Sequence, residues 1–198
     1  MTRLAILISG GGTNLQAFID AVSEGSLDVE IVVVVSNRPD AFGLSRAFKA
    51  NIATECVQNE DYADRAAFDE ALANTLLPYK PDLLILAGFM RILTSAFVKR
   101  FEGRILNIHP ALLPKYPGLN THQRAIEAGE RWHGSTVHFV TEELDAGPRI
   151  LQGRVPVLDN DTESLLSARV QAVEHRIYPE AAALFRSSTQ IDSASVIR

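Results

Sequence analysis

Two side chains with chemical potential stand two residues apart in Arg104-Ile105-Leu106-Asn107-Ile108-His109-Pro110. A carboxamide donates hydrogen bonds to a developing oxyanion, and an imidazole moves a proton near neutral pH. The residues around them read as a short buried strand. Side chains alternate along a strand, so Leu106 and Ile108 share one face and Asn107 and His109 the other. Pro110 has no N–H for a ladder and ends the pairing. The pair therefore sits where a strand stops. An Asn that supports a turn and a His that satisfies a buried partner carry the same local signature, so a structural role stays open for both.

Asp145 is the third candidate. It lies in Leu144-Asp145-Ala146-Gly147-Pro148, between two apolar runs downstream of His109. Asp-Ala-Gly is an ordinary turn sequence. If the turn returns to the end of the His109 strand, its carboxylate favours the imidazolium. His138 falls on the Thr136 face of its strand and reads as structural or pocket-lining. His122, His133 and His175 have no ligand-like spacing with Cys or acids, and no metal site is expected. Arg65 reads as a solvated charge on a helix. Gly88-Phe89-Met90-Arg91-Ile92-Leu93 follows a strand end; its backbone either lines a pocket for a flat ring or forms a plain apolar loop.

A separate constellation lies near the start of the chain. Gly10-Gly11-Gly12-Thr13-Asn14 joins an apolar strand to the start of a helix. Glycines let the backbone approach a ligand, and the helix N-terminus offers free N–H groups to an anion, so a phosphate is the natural guest. A tight strand-to-helix turn is the plainer alternative. A dinucleotide fold would carry G-x-G-x-x-G and an acid ending the second strand. Here Leu15 takes the third glycine position and the second strand ends in Ser36-Asn37. No G-x-x-x-x-G-K-[ST] occurs. NAD and ATP are disfavoured, and a smaller phosphate ester fits better.

The elements that must position these groups follow from hydrophobic periodicity. Strands are expected over 4–9, 30–35, 54–57, 82–87 and 104–109, with helices over 15–22, 41–50, 63–77 and 94–100 between them. Alternation of this kind argues for an α/β fold, a Rossmann-like doubly wound and mostly parallel sheet. The pattern then changes. A helix over 122–128 precedes strands over 134–140 and 149–157, which form an antiparallel C-terminal hairpin. A long helix begins at Asp161 or Thr162, carries Leu165, Leu166, Val170, Val173 and Ile177 on one face, and is bent or interrupted at Pro179. No linker divides the chain, so a single domain over 1–186 with a polar C-terminal tail, 187–198, is expected.

Composition narrows the function classes. The chain has 198 residues, 46% hydrophobic and 22% charged, with a net charge of −5. That sign argues against non-specific nucleic-acid binding. Cys56 is the one cysteine, so no intrachain disulfide forms and a reducing, cytoplasmic setting is expected. No targeting segment and no apolar run of the ~20 residues that a membrane helix needs is read.

Taken together, Ser9-Gly10-Gly11-Gly12-Thr13-Asn14, Asn107-Ile108-His109-Pro110-Ala111-Leu112-Leu113-Pro114 and Gly134-Ser135-Thr136-Val137-His138-Phe139-Val140 leading to Asp145-Ala146-Gly147-Pro148 closely resemble the folate-dependent phosphoribosylglycinamide formyltransferases of purine synthesis. Leu86 to Leu93 and Lys115-Tyr116-Pro117-Gly118-Leu119 look like the same family, and the likeness covers roughly residues 3–186. The resemblance implies formyl transfer from 10-formyltetrahydrofolate, as co-substrate, to the amine of glycinamide ribonucleotide, with no metal and no NAD. It implies Asn107, His109 and Asp145 as the catalytic trio. It implies Gly12, Thr13, Asn14 and Glu174 as ribonucleotide contacts. Arg65, Met90, Arg91, Ile92, Leu93, Asn107, Thr141, Glu142, Glu143, Leu144 and Asp145 would contact the folate. Partners would be these small molecules, with no nucleic acid and no membrane, in a monomer or homodimer. Alternatives are another formyl-folate enzyme, such as a formyltetrahydrofolate hydrolase or a methionyl-tRNA formyltransferase, and a non-catalytic nucleotide-binding module. Two departures stand out: Ala111 where members often have Ser, and Asn120 where some carry a His near the substrate, so no contact attributed to that His carries over.

Overall fold

The apolar runs become strands whose two faces feed two separate cores. β1 (Thr2–Ile8) leads into α1 (Thr13–Ser23), then β2 (Val29–Ser36), α2 (Phe42–Lys49) and β3 (Thr54–Cys56). α3 (Arg65–Leu76), β4 (Leu83–Leu86), α4 (Ser95–Arg100) and β5 (Ile105–His109) follow. The second part is α5 (Thr121–Glu127), β6 (Trp132–Phe139), β7 (Arg149–Pro156) and α6 (Glu163–Ala183). This computed structural model describes residues 1–185; the predicted polar tail, 187–198, and the boundary at 186 lie outside the described residues.

The seven strands form one sheet in the order β3-β2-β1-β4-β5-β6-β7. The first five pair in parallel. β6 pairs antiparallel with both β5 and β7. The α/β sheet with an antiparallel C-terminal hairpin is therefore as the sequence predicts, and the order turns outward in both directions from β1 and β4. Ligand sites in open sheets lie at that switch point, outside the carboxyl ends of the strands.

Period-two alternation sorts β1 between the cores. Leu4, Ile6 and Ile8 pack with Leu15 and Phe18 of α1, Ala47 of α2, and Ile177, Tyr178, Ala181 and Ala182 of α6. Ala5 and Leu7 face the other side, against Phe68, Leu72 and Leu76 of α3 and Phe97 of α4. Tyr178 is fully buried, and its hydroxyl lies 3.1 Å from the Leu86 carbonyl and 3.0 Å from that of Leu106, spanning the ends of β4 and β5. It meets Phe18 edge to face at 5.2 Å.

Two expectations about α6 are corrected. The helix runs through Pro179 to Ala183 without interruption. Proline removes one backbone bond, but Ile177, Tyr178, Ala181 and Ala182 are buried on either side of it, and their packing outweighs that loss. Leu165 is not on the buried face: it is 55% exposed, while Leu166 and Val170 are fully buried. Helix positions one apart point in different directions, and the stripe continues from Leu166. Thr162 is the N-cap, its hydroxyl accepting from the Leu165 N–H.

Candidate active site

β5 carries Asn107 and His109 within the sheet, at the strand where parallel pairing gives way to antiparallel. Across the strand, Asn107 opposes His138 and His109 opposes Thr136. The His138 ring Nδ1 lies 2.9 Å from the Phe139 carbonyl, so that nitrogen carries the proton. Burial holds the His138 imidazole below its ordinary pKa, which keeps it neutral. Its Nε2 is then an acceptor, 3.3 Å from Asn107 Nδ2. This fixes which way the Asn107 amide points and commits one of its two N–H groups. The second has no hydrogen-bond partner among the described residues.

The His109 ring is buried, and its Nε2 donates to the Tyr116 carbonyl at 2.8 Å. Tyr116 presents that carbonyl from a left-handed backbone, φ 56. On the other side Nδ1 lies 3.4 Å from Asp145 Oδ2. Both ring nitrogens thus face oxygen acceptors. Asp145 sits in the β6–β7 connection at φ 54, its side chain only 5% exposed, and Oδ2 also accepts from the Gly118 N–H at 2.9 Å. Its Oδ1 lies 3.7 Å from His138 Nε2. The loop after β5 is tied down in the same way. Thr136 Oγ1 donates to the Ala111 carbonyl at 2.7 Å and accepts from the Leu113 N–H at 3.0 Å and Gln152 Nε2 at 2.8 Å. The Leu113-Pro114 peptide within it is cis.

The glycine loop lies at the end of β1. Gly12 is the N-cap of α1, with φ 69 and ψ 36 and no side-chain cap. A Cβ there would lie 2.7 Å from Gly43 Cα, so the position admits only glycine without movement. The first N–H groups of α1 have no intrahelical acceptor. Asn14 Nδ2 donates to Glu174 Oε2 at 3.1 Å, and Thr13 Oγ1 accepts from Gln171 Nε2 at 3.0 Å. Asn14 Oδ1 is buried and without a partner among the described residues. Burial pushes the Glu174 carboxyl above the ordinary carboxylate range.

One hydroxyl joins the two constellations. Ser135 Oγ lies 2.7 Å from the His109 carbonyl and 2.9 Å from Glu174 Oε1. It has one proton for two acceptors. The serine can donate to only one of them at a time, so the His109 carbonyl and the Glu174 carboxyl share this single hydroxyl.

Comparison with known proteins decides the family. A formyl transferase family model matches residues 2–182. The phosphoribosylglycinamide formyltransferase of Escherichia coli K12 is 52% identical over 177 residues, 89% of this chain and 84% of that protein. The human trifunctional purine biosynthetic protein adenosine-3 is 46% identical over 187 residues, 94% of this chain and 18% of that longer protein. The crystal structure of glycinamide ribonucleotide transformylase 1 from Symbiobacterium toebii superposes with a TM-score of 0.91 at 50% identity, covering 93% of this chain and 87% of that one.

The chain belongs to the phosphoribosylglycinamide formyltransferase family.

Within this formyltransferase the predicted residues fall into three groups. Asn107, His109 and Asp145 converge with His138. Gly12, Thr13 and Asn14 meet Glu174. The segments expected to hold the folate-type formyl donor are more exposed. Met90 is 74% and Ile92 61% exposed, while the Met90 N–H donates to Ser9 Oγ at 2.7 Å. Leu93 packs on the α3–α4 core, and the Arg91 guanidinium lies 5.7 Å over the Phe68 ring. Thr141, Glu143 and Leu144 are exposed, and Glu142 is paired with Lys99 of α4 at 3.2 Å. Arg65 is exposed at the first position of α3 and shares no hydrogen bond or ion pair with the trio among the described residues.

Sequence reasoning missed Ser135, Gln171 and the orienting part of His138. Gln171 could have been found: it is three residues before Glu174, on the same helical face. His122 and His133, without ligand spacing in the sequence, meet at 3.1 Å between Nδ1 and Nε2. Burial lowers His133 to about 4, and the His122 cation it would oppose adds to the effect.

Proposed function

We propose that this chain transfers the formyl group of 10-formyltetrahydrofolate directly to the primary amine of glycinamide ribonucleotide, with Asn107, His109 and Asp145 as the catalytic trio. The observation that carries the assignment of roles is the joint convergence of an amide, an imidazole and a carboxylate at one strand end, one serine hydroxyl away from a glycine loop suited to phosphate.

The amine nitrogen attacks the formyl carbon, and negative charge builds on the formyl oxygen. The uncommitted Asn107 N–H and the His109 imidazolium stabilise that oxyanion. Collapse breaks the bond from carbon to the folate N10. The amine loses one proton and N10 gains one, with His109 as the carrier. Asp145 holds the imidazolium by charge. His138 holds the Asn107 amide in its donating orientation. On the ribonucleotide side, the N–H groups of Gly12, Thr13 and Asn14 receive the phosphate. Glu174 and the unpartnered Asn14 Oδ1 take the polar groups beyond it. On the folate side, Arg65, the 90–93 segment and Thr141 to Asp145 form the walls of the donor site, with exposed Met90, Ile92 and Leu144 covering its flat ring. The single cysteine fits a cytoplasmic setting for this work.

A steady-state assay with both substrates, read by the absorbance of the folate product, tests the reading. Release of tetrahydrofolate only when glycinamide ribonucleotide is present, with one formylated ribonucleotide per turnover, is the expected result. Folate release that is indifferent to the ribonucleotide would make the chain a hydrolase and overturn the assignment.

A further inference from the structure

The carbonyl groups of all three loop glycines are held by donors within the protein. The Gly10 carbonyl accepts from the Gly43 N–H at 3.0 Å, and the Gly12 carbonyl from the Gln16 N–H at 2.9 Å. The Gly11 carbonyl, between them, accepts from the side chain of Arg46 on α2, through Nε at 2.8 Å. Arg46 is itself fixed twice more. Its Nη1 donates to Gln16 Oε1 at 3.0 Å, and its guanidinium stacks on the Phe42 ring at 5.0 Å. α2 is pressed against the loop at this point: a Cβ on Gly43 would lie 2.5 Å from Ile8 Cδ1 and 3.3 Å from the Gly10 carbonyl.

A peptide unit that turns its carbonyl one way turns its following N–H the other way. Holding the Gly11 carbonyl back therefore keeps the Gly12 N–H forward. Gly12 is in the left-handed region, where a glycine peptide flips most readily, so this unit needs a tether. The tether is a cation, and it places positive charge directly behind the amides that would meet an anion.

Resting on the reading of the loop as the ribonucleotide phosphate site, we propose that Arg46 is a positioning residue for phosphate recognition. It fixes the Gly11–Gly12 peptide with its N–H toward the ligand and adds positive charge behind the loop, without touching the reacting atoms. Nothing else in the loop performs this task, because Gly12 as N-cap has no side chain to hold the turn.

Two substrates separate the possibilities: glycinamide ribonucleotide and its dephosphorylated riboside, each with wild type, Arg46→Ala and Arg46→Lys. In Arg46→Ala the KM for the ribonucleotide should rise roughly 10- to 100-fold, the loss of a charge-assisted hydrogen bond, with kcat and the folate KM unchanged. The kcat/KM for the riboside should match that of wild type. Arg46→Lys keeps the charge but not the fork, and should fall between the two. Equal losses on ribonucleotide and riboside would mean that Arg46 only supports the fold, and would overturn the proposal. So would an unchanged ribonucleotide KM in both variants. If wild type shows no preference for the phosphorylated substrate, the phosphate reading of the loop fails first and takes the proposal with it. Thermal unfolding of both variants checks folding, and the lysine variant carries the test alone if the alanine variant does not fold.

Discussion

The two halves of this site are built from different materials. The half proposed to take the ribonucleotide is mostly backbone: a left-handed glycine, the first N–H groups of α1, and carbonyls anchored by Gly43, Arg46 and Gln16. The half proposed to carry the chemistry is side chains in a chain of hydrogen bonds, from the Phe139 carbonyl through His138 to Asn107, and from Asp145 through His109 to the Tyr116 carbonyl. A backbone site recognises shape and charge, does not titrate, and is sensitive to a single methyl group. A side-chain site places charge and protons with precision but depends on the identity of every member. Substitutions should therefore separate: binding should suffer in the first half and turnover in the second.

The largest effect is expected at Asn107. Replacing the donating amide with a carboxylate puts an anion beside the oxyanion, so Asn107→Asp should lower kcat on the order of 10²–10³-fold or more, with the ribonucleotide KM near wild type. An Asn107→Asp enzyme with near wild-type turnover would remove the side-chain half from the comparison. Next is Gly12→Ala. The new methyl meets Gly43, and the left-handed backbone costs about 1–2 kcal/mol for an L-residue. The ribonucleotide KM should rise about 10- to 100-fold, one or two RT ln 10 steps of lost binding. Folate KM and kcat should change little; equal loss of both substrates would dissolve the distinction.

Ser135→Ala sharpens the comparison, because Ser135 belongs to both halves. Its loss leaves the His109 carbonyl and Glu174 without that partner, a cost of about 1–3 kcal/mol in unfolding free energy. Both KM and kcat should shift modestly, in contrast to the clean separation at Asn107 and Gly12. A Ser135→Ala enzyme altered in only one parameter would show that the halves are not joined there.

The smallest effect concerns acid. His133 supports the segment after β5, and burial beside His122 lowers it to about 4 from 6.5. The unfolded chain then binds more protons than the native one between these values, so stability falls as pH drops from 6.5 toward 4. His133→Gln should flatten the pH dependence of urea unfolding in that window. Superimposable curves for the two proteins would rule out His133 as a source of acid sensitivity in the chemical half.

Much of this was legible in the chain. Apolar runs flanked by turn residues mark the strands of the sheet, and the change after Pro110 marks where its direction reverses. Asn107 and His109 declare themselves because a polar pair on one face of a buried strand needs a reason. What local pattern does not carry is contact between distant segments. Ser135 meets Glu174 only because α6 crosses back over β6, and Arg46 meets Gly11 only because α2 packs on the loop. His138 looks like any buried histidine until its cross-strand partner is known. Leu165 and the continuity of α6 through Pro179 escape local pattern for a related reason: periodicity over α6 shows that a stripe exists, but the depth of burial on either side of Pro179 decides that the helix is not interrupted there.

Asp145 carries a consequence for selection. Its backbone is left-handed, a conformation that glycine adopts freely and asparagine better than most residues. For folding alone, asparagine keeps both the turn and an acceptor for the Gly118 N–H, glycine keeps only the turn, and both discard the carboxylate beside His109. If Asp145 acts in the proposed catalytic trio, stability and activity are opposed at this position. A library randomised at 145 and sorted only for heat resistance should enrich asparagine, which keeps the turn and the Gly118 contact, and lose turnover as it does so. The same library sorted by growth on formylation should return aspartate.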